Sequence, residues 1–183
     1  MIYPTATTRP ITVDLGQGVG GPLPGWFDID GIGEPRFRAA MEGQLFDPEG
    51  VAQSLQRIQE LIDAEVASGT PKERIVLGGF SQAGHLALLA HLAQGDQPLA
   101  GCVALCTWIQ PEAVSEALKS KPVFACHGTG DTIIPYEIGV ESMDSLLAAG
   151  IKDVEFKTYP GLDHVQSPQM VEDVKSFLLR VLP

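Results

Sequence analysis

The chain has 183 residues, enough to bury one real core and to read as a single domain over 1–183. Hydrophobic residues make up 44% and charged residues 19%, which excludes a disordered chain, and no apolar stretch is long and clean enough to cross a bilayer. The formal net charge of −11, from 12 basic and 23 acidic residues, argues against nucleic-acid partners and against docking on anionic lipid headgroups, while basic protein substrates remain compatible.

Met1-Ile2-Tyr3-Pro4 has no basic leader or apolar h-region, so no secretory signal is expected, and it reads as the tail of a strand. Ile2 stands where myristoylation needs glycine, and no prenylation cysteine closes the chain. Residues 5–46 are irregular and rich in Gly and Pro, with a candidate short strand at Ile11-Thr12-Val13-Asp14-Leu15. Gly16-Gln17-Gly18-Val19-Gly20-Gly21 matches the dinucleotide fingerprint in form. Pro22-Leu23-Pro24 follows it and cannot open the helix that would hold a pyrophosphate, so the cofactor reading is rejected.

The first convincing helix opens at Asp47-Pro48-Glu49, an N-cap, a proline at N1 and an early acid. Val51, Leu55, Ile58, Ile62 and Val66 keep its apolar spacing, and Gly69-Thr70-Pro71 stops it. A buried strand at Arg74-Ile75-Val76-Leu77-Gly78 comes next, then a glycine-rich turn, then the apolar helix beginning at His85. Further strands are expected at 101–106, 123–127 and Val154 to Tyr159. Helices are expected around 111–120, around 136–149 with Tyr136, Val140, Met143 and Leu147 on one side, and from Ser167-Pro168 with Met170, Val174, Phe177 and Val181 facing inward. Strands that alternate with helices predict an α/β fold, a mostly parallel sheet with helices on both faces.

Gly79-Phe80-Ser81-Gln82-Ala83-Gly84 joins the strand to the helix. A serine on such a turn is the nucleophile elbow of α/β-hydrolases. The turn lifts the hydroxyl out of the sheet and holds it at a helix N-terminus, where backbone N–H groups stabilise an oxyanion. Small flanking residues are needed because the strand and helix backbones nearly touch. Gly79 meets that need, and Ala83 stands where the second glycine is usual.

The serine needs a base, and the base needs an acid to fix its tautomer. In this class the order is serine, acid, histidine, with the latter two on loops after late strands. His164, in Gly161-Leu162-Asp163-His164 past the last strand, is the base. His127 ends a strand and is expected to pack beside the sheet. Asp131 follows the 123–127 strand and would reach His164 from a neighbouring loop, whereas Asp163 is adjacent to the histidine and cannot easily fold onto its ring. The catalytic set is therefore Ser81, Asp131 and His164. His85 and His91 fall on the elbow helix and read as core or surface residues, and no His/Cys/Asp/Glu spacing resembles a zinc site. Cys102, Cys106 and Cys126 lie in apolar strand-like runs, which suggests reduced thiols in a cytoplasmic protein.

Gly25-Trp26-Phe27-Asp28-Ile29, Gly79-Phe80-Ser81-Gln82, Thr107-Trp108-Ile109, His127-Gly128 through Asp131, Ile134-Pro135 and Gly161 to His164 together resemble the acyl-protein thioesterase/lysophospholipase family, also called the phospholipase/carboxylesterase family. The resemblance runs the length of the chain. It implies hydrolysis of acyl thioesters or carboxylic esters, including S-palmitoyl proteins and lysophospholipids, with no cofactor. The Gln82 N–H would be one oxyanion donor, and Trp26, Trp108 and Ile134 would line an acyl groove. The family's other oxyanion donor comes from an earlier strand and a His-Gly-x-Gly-Asp loop that has no counterpart here, so the sheet is expected to be N-terminally incomplete. A shortened form, an incomplete gene model and a hydrolase-derived protein of changed function are the competing origins. The last of these gives the alternative reading, an impaired hydrolase-like protein that binds an acylated partner or lipid.

Overall fold

The structure, a computed structural model, describes residues 1–14, 21–109, 119 and 121–182. Its elements in chain order are β1 (Thr8–Pro10), β2 (Pro22–Pro24), α1 (Glu34–Met41), α2 (Pro48–Ala67), β3 (Val76–Phe80), α3 (Gln82–Leu92), β4 (Gly101–Leu105), β5 (Val123–Gly128), α4 (Tyr136–Ala148), β6 (Val154–Tyr159) and α5 (Pro168–Val181). β1 and β2 form a small antiparallel ladder, with Thr8 opposite Pro24. The main sheet is parallel throughout, in the order β3-β4-β5-β6. Among the described residues β3 is one edge of that sheet and β6 the other.

The two central strands are short, apolar and almost wholly buried. Their side chains alternate between two cores, as the strand period of two requires. Cys102, Ala104, Val123 and Ala125 face Ala87 and Leu88 of α3 and Met143 and Leu146 of α4. Val103, Phe124 and Cys126 face Met170 and Phe177 of α5. A third cluster lies outside α3 and α4, where Phe27, Phe37, Phe46 and Trp108 pack with Leu86, Ile134 and Ile138. The Phe37 and Trp108 rings meet edge to face at 4.8 Å.

Most expected elements are present, and the departures have physical causes. Residues 1–4 carry no strand and are exposed. No strand covers the described part of 11–15; the ladder lies just before it, and Ile11 and Val13 make only single N–H bonds to Gly21 O (3.1 Å) and Ile29 O (2.7 Å). α1 lies inside the stretch that reads as irregular. It has eight residues and little apolar character, and it holds by burying Phe37, Ala40 and Met41 and by an ion pair from Arg38 to Glu141 of α4. The expected helix around 111–120 lies largely outside the described residues.

α4 buries a different face from the one its apolar residues suggest. Ile138, Gly139, Ser142, Met143 and Leu146 point inward, while Leu147 is 49% exposed. Gly139 lies against the His127 ring, where a Cβ would collide with it. The Ser142 hydroxyl donates to Ile138 O (2.7 Å) and accepts from Ile109 N–H (2.9 Å), so a small polar residue is satisfied in the core. In α5, by contrast, Met170 and Phe177 are buried as expected, with Val174 and Val181 packed beside them.

Asp47 fixes the start of α2. Its carboxylate accepts from Gly50 N–H (2.9 Å) and from Asp28 N–H (2.8 Å), and it pairs with Arg9 (3.5 Å). Partial burial pushes its pKa up, but these partners outweigh that and hold it below the ordinary carboxylate value. Asp47→Ala is expected to lower stability by about 1–2 kcal/mol at neutral pH. Because the folded-state pKa is depressed, this advantage is full above the ordinary carboxylate pKa and shrinks as pH falls through the depressed value. Urea denaturation of both proteins across that range checks it.

Candidate active site

The turn from β3 into α3 forces Ser81 into φ 55°, ψ −123°; with Cys106 at φ 47° it is one of two non-glycine residues beyond about +20° among those described. Such a conformation costs on the order of 1–3 kcal/mol and persists only where its surroundings over-determine it. They do so here. Ser81 N–H donates to Leu105 O (2.8 Å), and Ser81 O accepts from Gly84 N–H (2.9 Å), His85 N–H (3.1 Å) and Thr107 Oγ1 (2.8 Å). A Cβ on Gly79 would overlap the Ala83 backbone, and one on Gly84 would press on Thr107 Cβ at 2.9 Å. The Ser81 side chain caps nothing, and its hydroxyl is left for other chemistry.

Asp131 sits on the loop after β5 and His164 on the loop after β6. The His164 Nδ1–Asp131 Oδ2 distance is 2.7 Å, with the Asp131 carboxyl fully buried and the imidazole 14% exposed. Ile133 N–H (2.9 Å) and Ile134 N–H (2.8 Å) donate to Asp131 Oδ1. His127 Nε2 lies 3.2 Å from Asp131 Oδ2 and 2.9 Å from Ile134 O. A carbonyl only accepts, so that nitrogen carries the proton. Burial pushes the Asp131 pKa up, but hydrogen bonds from His127, His164 and Ile134 N–H prevail and hold it well below the ordinary value. Asp131 is therefore an acceptor at neutral pH, and the His164 nitrogen that faces it, Nδ1, is the donor.

The elbow and this pair meet through Phe80, whose ring lies 4.8 Å from the His164 ring, one residue before Ser81. The Ser81 hydroxyl makes no hydrogen bond among the described residues. Such bonds in ligand-free sites are often closed only when substrate binds.

Several supports are absent from the sequence reading. Asp163, set aside as the acid, staples the two loops: its Oδ1 accepts from Thr132 N–H and Thr132 Oγ1 (both 2.9 Å) and from His164 N–H (2.8 Å). His127 packs as expected, and it also holds the Asp131 carboxylate. The Gln82 side chain clamps the Trp26-Phe27 segment, accepting from Trp26 N–H (2.8 Å) and donating to Phe27 O (2.7 Å). As the first residue of α3, Gln82 has a backbone N–H with no acceptor inside the helix. His85 is stacked on Trp108 at 4.5 Å and bonded to its carbonyl (3.0 Å), and burial lowers its pKa to about 4. Trp108 and Ile134 are 3% and 0% exposed, inside the aromatic cluster, while Trp26 is half-buried beside Arg57. All three cysteines are free and buried.

A serine held in a strand-to-helix turn, at the same end of a parallel sheet as a buried Asp–His pair, places the chain among the α/β-hydrolases. The sequence profile of one of their families, phospholipase/carboxylesterase, matches residues 1–182. Acyl-protein thioesterase 1 of Cryptococcus neoformans is 37% identical over 198 residues, covering 99% of this chain and 79% of that protein. The protein of the same name from Mycosarcoma maydis is 37% identical over 199 residues, covering 100% and 78%. Among solved structures, Arabidopsis thaliana SOBER1 superposes with a TM-score of 0.84 at 28% identity, covering 100% of this chain and 83% of its own. Zea mays acyl-protein thioesterase 2 gives 0.75 at 29% identity, covering 98% and 80%. The chain belongs to the phospholipase/carboxylesterase family and is a hydrolase.

Gln82→Ala removes both amide bonds to the Trp26-Phe27 backbone. Each partly buried group left unpaired costs about 1–3 kcal/mol. A lowered urea midpoint is the expected outcome, with an unchanged denaturant slope showing that the fold itself is kept.

Proposed function

We propose that the protein cleaves acyl thioesters or carboxylic esters through Ser81, His164 and Asp131. The observation that carries this reading is the buried Asp131–His164 hydrogen bond beside an elbow serine. His164 Nε2 takes the Ser81 hydroxyl proton as Oγ attacks the acyl carbonyl. Asp131 holds the tautomer and stabilises the imidazolium. The Gln82 N–H, at the start of α3, donates to the oxyanion. His164 then returns the proton to the departing thiol or alcohol. Water, activated by the same imidazole, releases the acid and frees Ser81.

Relatives named acyl-protein thioesterases support an acylated protein as the substrate. The net charge of −11 favours acyl sites flanked by basic residues. Of the three apolar candidates, half-buried Trp26 is the one with surface left to offer an acyl chain. No described helix is long and apolar enough to cross a membrane, and the free thiols fit a reducing compartment such as the cytoplasm.

A fluorophosphonate probe is expected to label wild-type protein and not Ser81→Ala. Asp131→Asn is expected to lower kcat on p-nitrophenyl esters by roughly 10⁴-fold, as tautomer loss does in serine hydrolases generally. Folded wild-type protein that neither reacts with the probe nor turns over ester overturns the assignment. On an S-acyl peptide rich in lysine, kcat/KM is expected to fall as salt rises, with little change on a neutral peptide. Stopped-flow release of the thiol measures both.

A further inference from the structure

Cys106 follows β4, the strand that lies between the serine's strand and the acid's. Its backbone is at φ 47° and its N–H donates to Cys126 O (2.9 Å). That bend sets its thiol beside the acid–base pair. One ligand atom each from Cys106, Asp131 and His164 lies within 4.8 Å of the others. Sulfur, carboxylate oxygen and imidazole nitrogen are the donors a zinc ion takes. A tetrahedral zinc with bonds of about 2.3 Å to sulfur and about 2.0 Å to nitrogen and oxygen sets its ligand atoms roughly 3.3–3.6 Å apart. The 2.7 Å His164–Asp131 pair therefore needs to open only slightly while the thiol closes in. The imidazole is 14% exposed, which gives an ion a route in, and water completes the shell.

We propose that Cys106, Asp131 and His164 form a zinc site whose occupation switches the hydrolase off. Thiolate, carboxylate and neutral imidazole carry two negative charges against the two positive charges of the ion, so the buried site is neutral. In the metal-free protein burial first, and the Asp131 charge second, push the Cys106 thiol up to about 12, so it is protonated. On binding, the S–H proton goes to solvent and an S–Zn bond replaces it. The imidazole loses its Nδ1 proton to the metal's displacement and takes one at Nε2, so one proton is released in all. An Nε2 that carries a proton cannot accept one from Ser81. The loss of activity rests on the triad assigned above; metal binding does not.

The test uses the whole chain after treatment with chelator. Cobalt(II) added alone is expected to give the near-ultraviolet thiolate-to-cobalt charge-transfer band, and zinc is expected to bleach it by competition. Cys106→Ser is expected to lose the band, whereas Cys102→Ser, which alters a buried thiol outside the cluster, keeps it. Zinc is expected to inhibit p-nitrophenyl ester hydrolysis by wild type reversibly, with EDTA restoring the rate. In Cys106→Ser the zinc concentration for half inhibition is expected to rise about tenfold or more, since even indirect partners of a metal shift affinity by about that much. Absence of the band in wild type, its survival in Cys106→Ser, or equal zinc inhibition of both proteins overturns the proposal. The cobalt spectrum reads the site even in a protein that hydrolyses no ester, so its failure and that of the functional assignment are distinct results.

Discussion

The buried carboxylate of Asp131 is the constraint around which the C-terminal end of the sheet is arranged. A lone carboxylate taken out of water would shed its charge by binding a proton. Here two imidazoles and two backbone N–H groups converge on it. Satisfying that charge fixes the Ile133-Ile134 turn and the His127 and His164 rings. Gly139 lacks a side chain because the His127 ring occupies the space. One ionised group thus links the loop after β5, the loop after β6 and the packing of α4.

The Ser81 turn is built differently. Ser81 is held in a costly backbone conformation by hydrogen bonds to its main chain alone, which keeps its hydroxyl uncommitted. The aromatic cluster outside α3 supplies compensating burial, and Gln82 couples the two. Its backbone stands at the start of the elbow helix while its side chain clamps the segment that brings Phe27 into the cluster. Strain at the turn and packing of the aromatic layer therefore belong to one structural unit.

The elbow, the four parallel strands and the helices α2, α3 and α5 were legible in the sequence because each is a local pattern. Gly79 and Ser81 sit in a strand–turn–helix context, Asp47-Pro48 marks a helix start, and Met170 to Val181 keeps helical spacing. Chain order pointed to Asp131 and His164 as neighbours, and the structure hydrogen-bonds the two. α1 and the inward face of α4 were not, because what holds them is tertiary. Arg38 finds Glu141 across about a hundred residues of chain, and Gly139 and Ser142 are buried through a ring and a hydrogen bond that no hydropathy pattern encodes.

The sequence by itself determined which residues could do chemistry and on which side of the sheet they would emerge, since strand polarity and loop order follow from local propensity. The tertiary structure alone decided what surrounds each of them: that His127 shares the Asp131 carboxylate with His164, that Asp163 staples the two loops, and that a ligand atom of Cys106 lies within 4.8 Å of the Asp131–His164 pair. The reason is distance along the chain. Spacing of 25 and 33 residues from Asp131 to Cys106 and to His164 carries no periodicity, and only the pairing of β4, β5 and β6 in parallel register brings those ends together.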